Sequence, residues 1–349
     1  MSGIKDLLEN AVKNRFIISF EYDTLKDFVD IGSGAFGQVT RAYSNSLEKY
    51  VALKSLKSLN NEEEFAAFVK ELRNFNTVNH HDNIIQFLGI SKDPKETYYL
   101  VLQYAEGGDL RTYLQKNFET LDWETKISMA KDIARGLNFI HNADIVHRDL
   151  HSKNILVHQK RLLITDLGLS KSLDTDSKSV IGGVLAYTDP EWIRNMRKGY
   201  KRNKASDVYS IGVLFWELSS GRPPFKDFQL FEISDKVKSG EREKPINGTP
   251  VDYVNIYSSA WNDNPTQRPT VENIRNSLGK IQFENIFYVS NENTKSIQPK
   301  VIIIDEHSQD LVSNASDWDQ SNENINLSRE VNDQTLTDFA SQEITGIDN

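Results

Sequence analysis

An α+β chain in two unequal lobes, a small sheet-rich one followed by a larger helical one, is the fold class that the order of patterns along these 349 residues predicts. Three observations carry it. Strand-like apolar stretches punctuated by glycine fill the chain up to Tyr104, with one strongly amphipathic helix among them. Beyond Asp109 the apolar residues recur at helical spacing. After about Gln282 the composition turns to Asn, Ser, Asp, Gln and Glu, and no apolar period is sustained.

Taken in order, Leu7, Leu8, Ala11 and Val12 suggest a short amphipathic helix, and the run from Phe16 to Phe20 is strand-like. Strands interrupted by glycine follow from Tyr22 to Ala52, with Val51-Ala52-Leu53-Lys54 as a short strand of its own. Asn60 or Asn61, three residues ahead of Glu63 or Glu64, marks a helix start. Behind it Phe65, Phe68, Val69, Leu72 and Phe75 fall on one helical face, the single key helix of the small lobe. Tyr98 to Tyr104 is a further strand, and Gly107-Gly108 after it reads as the hinge. Helical spacing then covers 109–117, 122–142, 207–220 and 270–282, with Gly221 as a stop signal. The organisation expected is an N-terminal extension, 1–21, and a folded region, 22–282, with lobes at about 22–104 and 109–282. An acidic tail, 283–349, has too little apolar surface to offset its ordering entropy and is expected to be disordered.

Charge sharpens the boundary. The formal net charge is -9, and the segment from Phe283 onward holds thirteen Asp or Glu against three Lys or Arg. The remainder is therefore nearly neutral, which argues against a nucleic-acid partner. There is no cysteine, which removes disulfides and thiolate metal sites and fits a reducing compartment. No apolar run reaches the ~20 residues needed to cross a bilayer, and Ser2 stands where N-myristoylation needs glycine. No membrane association is expected, and the location expected is cytoplasmic, with the nucleus left open.

Two constellations carry chemistry. His147-Arg148-Asp149-Leu150-His151-Ser152-Lys153-Asn154 is followed by Asp166-Leu167-Gly168, which gathers carboxylate and amide oxygens suited to Mg²⁺ and leaves one carboxylate free to orient a hydroxyl. Gly32-Ser33-Gly34-Ala35-Phe36-Gly37 allows backbone to approach phosphate closely. A dinucleotide loop with this spacing should open a helix. Here the glycines lead instead into the strand-like Val39-Thr40-Arg41-Ala42-Tyr43.

The chain resembles eukaryotic protein kinases over roughly residues 22–282, with the family's motifs in order: a glycine-rich loop, a Val-Ala-Leu-Lys strand, His-Arg-Asp-Leu-x-x-x-Asn, Asp-Leu-Gly and Asp-Pro-Glu. The Leu-His-Ser-Lys-Asn loop and Ala-Tyr-Thr-Asp-Pro-Glu are most similar to the tyrosine kinase-like group. The resemblance implies a bilobal protein kinase fold, ATP and Mg²⁺ as cofactors and proteins as substrates. It implies Asp149 as catalytic base, Arg148 beside it, and Asn154 and Asp166 as metal ligands. Lys54 would meet the phosphates and pair with Glu71. Gly32, Gly34 and Gly37 would cover ATP, while Val39, Ala52 and Leu156 sandwich adenine. Leu102 would be the gatekeeper, with Gln103 to Ala105 as hinge contacts. Phe75, Phe87, His147 and Leu167 would stack as a spine, with Leu167 in place of the usual Phe. Glu191 would pair with Arg268, and Asp207 would hold the catalytic loop.

Acceptor signals point both ways: His151 and Val184 occupy places where Ser/Thr kinases carry Lys and Thr, and Lys153 sits where many tyrosine kinases have Arg. Group resemblance favours Ser/Thr. Tyrosine or dual specificity is the alternative, and a pseudokinase scaffold is opposed by the complete set Lys54, Glu71, Asp149, Asn154 and Asp166. Ser170, Ser172, Thr175, Ser177 and Ser179 are candidate phosphorylation sites that would order their loop through Arg148. Six basic residues between Arg194 and Lys204 are a candidate dock for the acidic tail or an acidic substrate. Val301-Ile302-Ile303-Ile304-Asp305-Glu306 resembles a SUMO-interacting motif.

Overall fold

Two sheets, seven α-helices and the end of another at 72–78 organise the described residues of this computed structural model, namely Lys13, 17–34, 37–55, Leu72, 74–167 and 184–282. Outside them lie the expected N-terminal helix, Glu71 and most of its helix, Ala35 and Phe36, the five candidate phosphorylation sites, and the tail with its Val301–Glu306 stretch.

The small lobe is a six-stranded sheet: β1 (Ser19–Glu21), β2 (Leu25–Gly34), β3 (Gly37–Ser44), β4 (Lys49–Ser55), β5 (Phe87–Lys92) and β6 (Tyr98–Gln103). Its strand order is β1-β5-β6-β4-β3-β2, antiparallel throughout except that β1 runs parallel to β5. Period-2 patterning explains the two faces. Ala42, Val51, Leu53 and Val101 point into a small cluster with Phe20 and Leu25, whereas Ala52, Leu100 and Leu102 face the main core. The sheet takes in Ser19–Glu21, upstream of where the sequence pattern placed the start of the folded region. Gly89 makes this addition possible. Its φ is +154°, and a Cβ there would run into the Ile18 carbonyl oxygen, which accepts a 2.9 Å bond from the Ile90 amide.

The large lobe holds α1 (Leu110–Asn117), α2 (Trp123–Asn142), α3 (Pro190–Asn195), α4 (Lys204–Ser220), α5 (Leu230–Lys238), α6 (Val251–Ala260) and α7 (Val271–Gly279), with a two-stranded sheet, β7 (Ile155–His158) and β8 (Arg161–Ile164). Side-chain oxygens of Asp109, Asp122, Asn203 and Thr270 cap α1, α2, α4 and α7, each accepting a backbone N–H that the helix itself cannot satisfy. α4 begins three residues before the Asp207 start expected from sequence, because Asn203 and Ser206 form a capping box ahead of it. From Ser206 to Ser219 every residue of α4 is buried, so it is the central helix of the lobe. Gly221 at φ +69° ends it as expected.

Gly107-Gly108, expected as the hinge, is fastened to the large lobe by two backbone bonds. The Gly107 amide donates to Val157 O at 2.9 Å, and the Val157 amide donates to Gly108 O at 2.9 Å. A Cβ on Gly107 would sit 2.7 Å from the Val157 carbonyl oxygen. Close approach, not flexibility, is what glycine supplies there.

Candidate active site

The interlobe site is assembled from β-strand register on one side and a carboxylate clamp on the other. Strand β4 places Ala52 and Lys54 on the same face, opposite Leu102 and Leu100 of β6, while Val39 of β3 is the register partner of Lys54. Strand β7 brings half-buried Leu156 from the large lobe. Val39, Ala52, Leu102 and Leu156 all pack on the one main core. Gly34 and Gly37 are paired across the turn of β2 and β3, and Gly32 is paired with Val39, so the glycine-rich segment joins two strands and does not open a helix. Gly37 has φ +135°, and a Cβ there would collide with the Ser55 carbonyl oxygen.

Lys54 is 5% exposed, and its ammonium is ion-paired with Asp166. That contact closes the strand lobe onto the loop after β8. Glu71, expected as the partner of Lys54, lies outside the described residues. Asp166 and Arg148 both adopt positive φ, +63° and +69°. Non-glycine residues held there store about 1–3 kcal/mol each, and both flank the chemistry.

Asn154 orders the loop from within. Its amide nitrogen donates to the Asp149 carbonyl oxygen at 2.8 Å and reaches the Asp149 carboxylate at 3.3 Å. The backbone of Asn154 accepts from the Thr165 amide at 3.0 Å, which ties it to the segment carrying Asp166. With its nitrogen so committed, the Asn154 amide oxygen and the Asp166 carboxylate are hard donors of the kind that fit Mg²⁺ together with phosphate oxygens. His151 Nε2 stands 3.6 Å from Asp149 Oδ2. Burial pushes the Asp149 carboxyl up, but His151, His147 and Arg202 outweigh it and hold the group below the usual carboxylate range.

Asp207 holds this loop in place. Its carboxylate accepts from the backbone amides of His147 (2.8 Å) and Arg148 (2.7 Å) and contacts His141 Nε2 at 2.9 Å. At 1% exposure such a charge costs several kcal/mol to desolvate, and these bonds offset it. His147 Nε2 lies 2.9 Å from Thr165 O. His147, Phe75, Phe87 and Leu167 are all buried. The two phenyl rings stack at 6.0 Å, and Asn74 donates to Leu167 O at 3.4 Å. The leucine in place of phenylalanine is therefore fully enclosed.

One expected pairing is corrected. Arg268 does not meet Glu191; it meets Asp189 at 2.9 Å, and the two side chains are 1% and 0% exposed. The same guanidinium bonds the carbonyl oxygens of Asn262 (2.8 Å) and Ala205 (2.9 Å). Asp189 also accepts from Ser206 Oγ at 2.7 Å and from the Glu191 amide at 3.0 Å. Asp189 is thus the carboxylate at the buried start of α3, whereas Glu191, two residues on, faces outward to Asn195 (2.7 Å) and Arg194 (3.6 Å). Of the basic run, Arg194 is also paired with Asp263 at 2.5 Å and Lys204 with Asp144 at 2.6 Å. Arg202 donates to the Arg148 carbonyl oxygen and lies over the Trp192 ring.

A buried polar cluster was missed from sequence. Glu217, in the apolar helix α4, accepts from Ser152 Oγ at 3.0 Å and from the Tyr187 hydroxyl, with Arg111 Nε at 3.4 Å. Arg111 also donates to Tyr187 at 2.8 Å and Ser152 at 3.1 Å. Burial pushes the Glu217 carboxyl up, against the pull of Arg111, Tyr187 and Ser152. The cluster links the catalytic loop to the segment before α3. A single carboxylate inside Val213-Leu214-Phe215-Trp216-Glu217-Leu218 was the sequence signal for it.

The family described as protein tyrosine and serine/threonine kinase matches residues 25–278. A probable LIM domain-containing serine/threonine-protein kinase of Dictyostelium discoideum is 28% identical over 254 residues, 72% of this chain and 38% of that protein. Mitogen-activated protein kinase kinase kinase 10 of Xenopus laevis is 31% identical over 296 residues, 80% of this chain and 29% of that protein. The proto-oncogene tyrosine-protein kinase ROS of Mus musculus is 32% identical over 280 residues, 74% of this chain and 12% of that protein. The chain spans well under half the length of these relatives. Among the described residues no helix is long and apolar enough to cross a membrane.

Proposed function

The chain belongs to the protein tyrosine and serine/threonine kinase family, and from that premise we propose that it transfers the γ-phosphoryl group of Mg-ATP to a hydroxyl of a protein substrate, serine or threonine in preference to tyrosine. The observation that carries the reading is the convergence of Lys54, Asp149, Asn154 and Asp166 between the lobes, with Lys54 bridged to Asp166 across them. Mg-ATP, when bound, supplies the transferable phosphoryl group and the divalent charge that offsets its oxygens. The chain's own residues do the rest. Val39, Ala52 and Leu156 would enclose adenine, with Leu102 behind it and the backbone from Gln103 to Ala105 beside its edge. The backbone of Gly32, Gly34 and Gly37 would cover the phosphates, and Lys54, oriented by Asp166, would meet them. Asn154 and Asp166 would hold the ion. Asp149, ionised because its carboxyl is held low, orients the acceptor hydroxyl and takes its proton. Asn154 and His151 fix the direction of that carboxylate.

The preference for serine and threonine rests on the tyrosine kinase-like character of the Leu-His-Ser-Lys-Asn loop and on the Dictyostelium relative, named as a probable serine/threonine-protein kinase. Activation by phosphate on Ser172, Thr175, Ser177 or Ser179, drawn to Arg148, belongs to the same reading. So do a cytoplasmic location and, separately, SUMO binding through Val301–Glu306, which a peptide titration tests. Incubating the chain with Mg-ATP and a degenerate peptide library, then sequencing the products by mass spectrometry, tests the acceptor. Phosphoserine and phosphothreonine are expected; products carrying only phosphotyrosine would overturn the preference.

A further inference from the structure

Away from the interlobe site, α2 and α7 line an open cavity of about 710 Å³. Its wall is cationic. Lys131 and Arg135 contribute from α2, and Arg275 and Lys280 from the end of α7. Against these four charges stand the C-terminal ends of two helices, each worth roughly half a negative charge. Arg135 is shared with Asp132 at 3.3 Å, but Lys131, Arg275 and Lys280 have no carboxylate partner among the described residues. An aromatic floor completes the cavity: His81 and the exposed ring of Phe139, with centroids 4.8 Å apart. Cations with no carboxylate partner among the described residues, around an aromatic floor, suit a chain rich in carboxylates.

The last described residues of the chain lie at the mouth of this cavity. Gly279 and Lys280 line it, Ile281 is buried, and of the residues that follow, 283–304 carry two acidic against two basic side chains, whereas 305–349 carry eleven against one. The other cationic feature, the run from Arg194 to Lys204, has Arg194, Arg202 and Lys204 engaged with partners of their own. We infer that the acidic segment 283–349 of this same chain docks in the α2–α7 cavity. Tethering makes even weak contacts sufficient, because a segment joined to its site by a stretch of the same chain binds at an effective concentration of up to roughly millimolar. The inference is independent of phosphoryl transfer and is tested without it.

Carbodiimide cross-linking of the full chain, read by peptide mass spectrometry, is the test. Lys131 is the reporter because it is remote in sequence from the tail. Attachment of Lys131 to carboxylates within 283–349 of the same molecule is expected. The Arg275→Glu/Lys280→Glu pair, both exposed positions, should lower that yield by about tenfold. Raising sodium chloride from about 0.05 to about 0.5 M should give the same loss in the unaltered chain by screening, so the test stands even if the double variant is unstable. The inference is overturned if Lys131 gains no tail carboxylate, if its links form only between molecules, if the tail couples to Lys198 or Lys201 instead, or if neither substitution nor salt changes the yield.

Discussion

Arg268 shows how much a single side chain carries when it is buried and fully bonded. Its removal by Arg268→Ala strands Asp189 as an uncompensated charge at 0% exposure, and a buried pair broken on one side costs about 3–5 kcal/mol. Glu191→Ala breaks only part-exposed contacts to Arg194 and Asn195, worth about 1 kcal/mol or less. Urea denaturation of the two variants separates the pairings. If Glu191→Ala were the more damaging, the assignment of Asp189 as the partner would be wrong. A second residue-scale expectation concerns Asp149. Its carboxyl is held below the ordinary value, so it is ionised at neutral pH and stays so as the solution is acidified past the ordinary carboxylate range. The stability it contributes is present above the unfolded value and is lost only as pH falls through the lower folded one. Carboxyl-carbon NMR, assigned with Asp149→Asn, should show its midpoint below the ordinary range, and His151→Asn should raise that midpoint. An unaltered midpoint in His151→Asn would remove His151 as a cause.

At the scale of elements, strand β1 hangs on one glycine. Gly89→Val would drive a side chain into the Ile18 carbonyl and the Phe20 ring, so β1 should detach while the other strands keep their pairing. Hydrogen exchange reads this directly: the Ile90 amide, bonded to Ile18 O at 2.9 Å, should lose protection, whereas the Leu53 and Val101 amides should not. Retained protection at Ile90 would contradict the account. The twenty-residue α2 was legible from its regular spacing, and so were α1, α7, the strands around Lys54 and the glycine pairs. Helices α5 and α6 were not, although they are as long as α1 and α7: those begin behind Asp109 and Thr270, residue types that signal a helix start, whereas α5 and α6 follow Gln229 and Pro250, and α3 has only six residues. α4 starts before Asp207 because Asn203 and Ser206 cap it together, a pairing of residue types that also occurs in loops. Partner choice was the least legible property. Residue types near Pro190 offered two carboxylates to Arg268, and only packing decides that Asp189 is the one turned inward. The same holds for Glu217, whose partners Arg111, Ser152 and Tyr187 come from three separate segments.

For the whole molecule, the division of labour follows from where the charges are. A nearly neutral folded region presents one interlobe site built of Lys54, Asp149, Asn154 and Asp166, while the excess of acid is confined to residues after Phe283. The Lys54–Asp166 ion pair joins the lobes, and Phe75, Phe87, His147 and Leu167 are all buried, with the two phenyl rings stacked. The measurement that bears most directly on this account is transfer of labelled phosphate from ATP to protein, compared between the unaltered chain and Asp149→Ala at matched nucleotide occupancy. Magnesium-dependent incorporation is expected from the unaltered chain, with a loss of about 10²–10⁴-fold in Asp149→Ala and nucleotide binding retained. Equal incorporation by both chains, or none by the unaltered chain while it binds Mg-ATP, would contradict it.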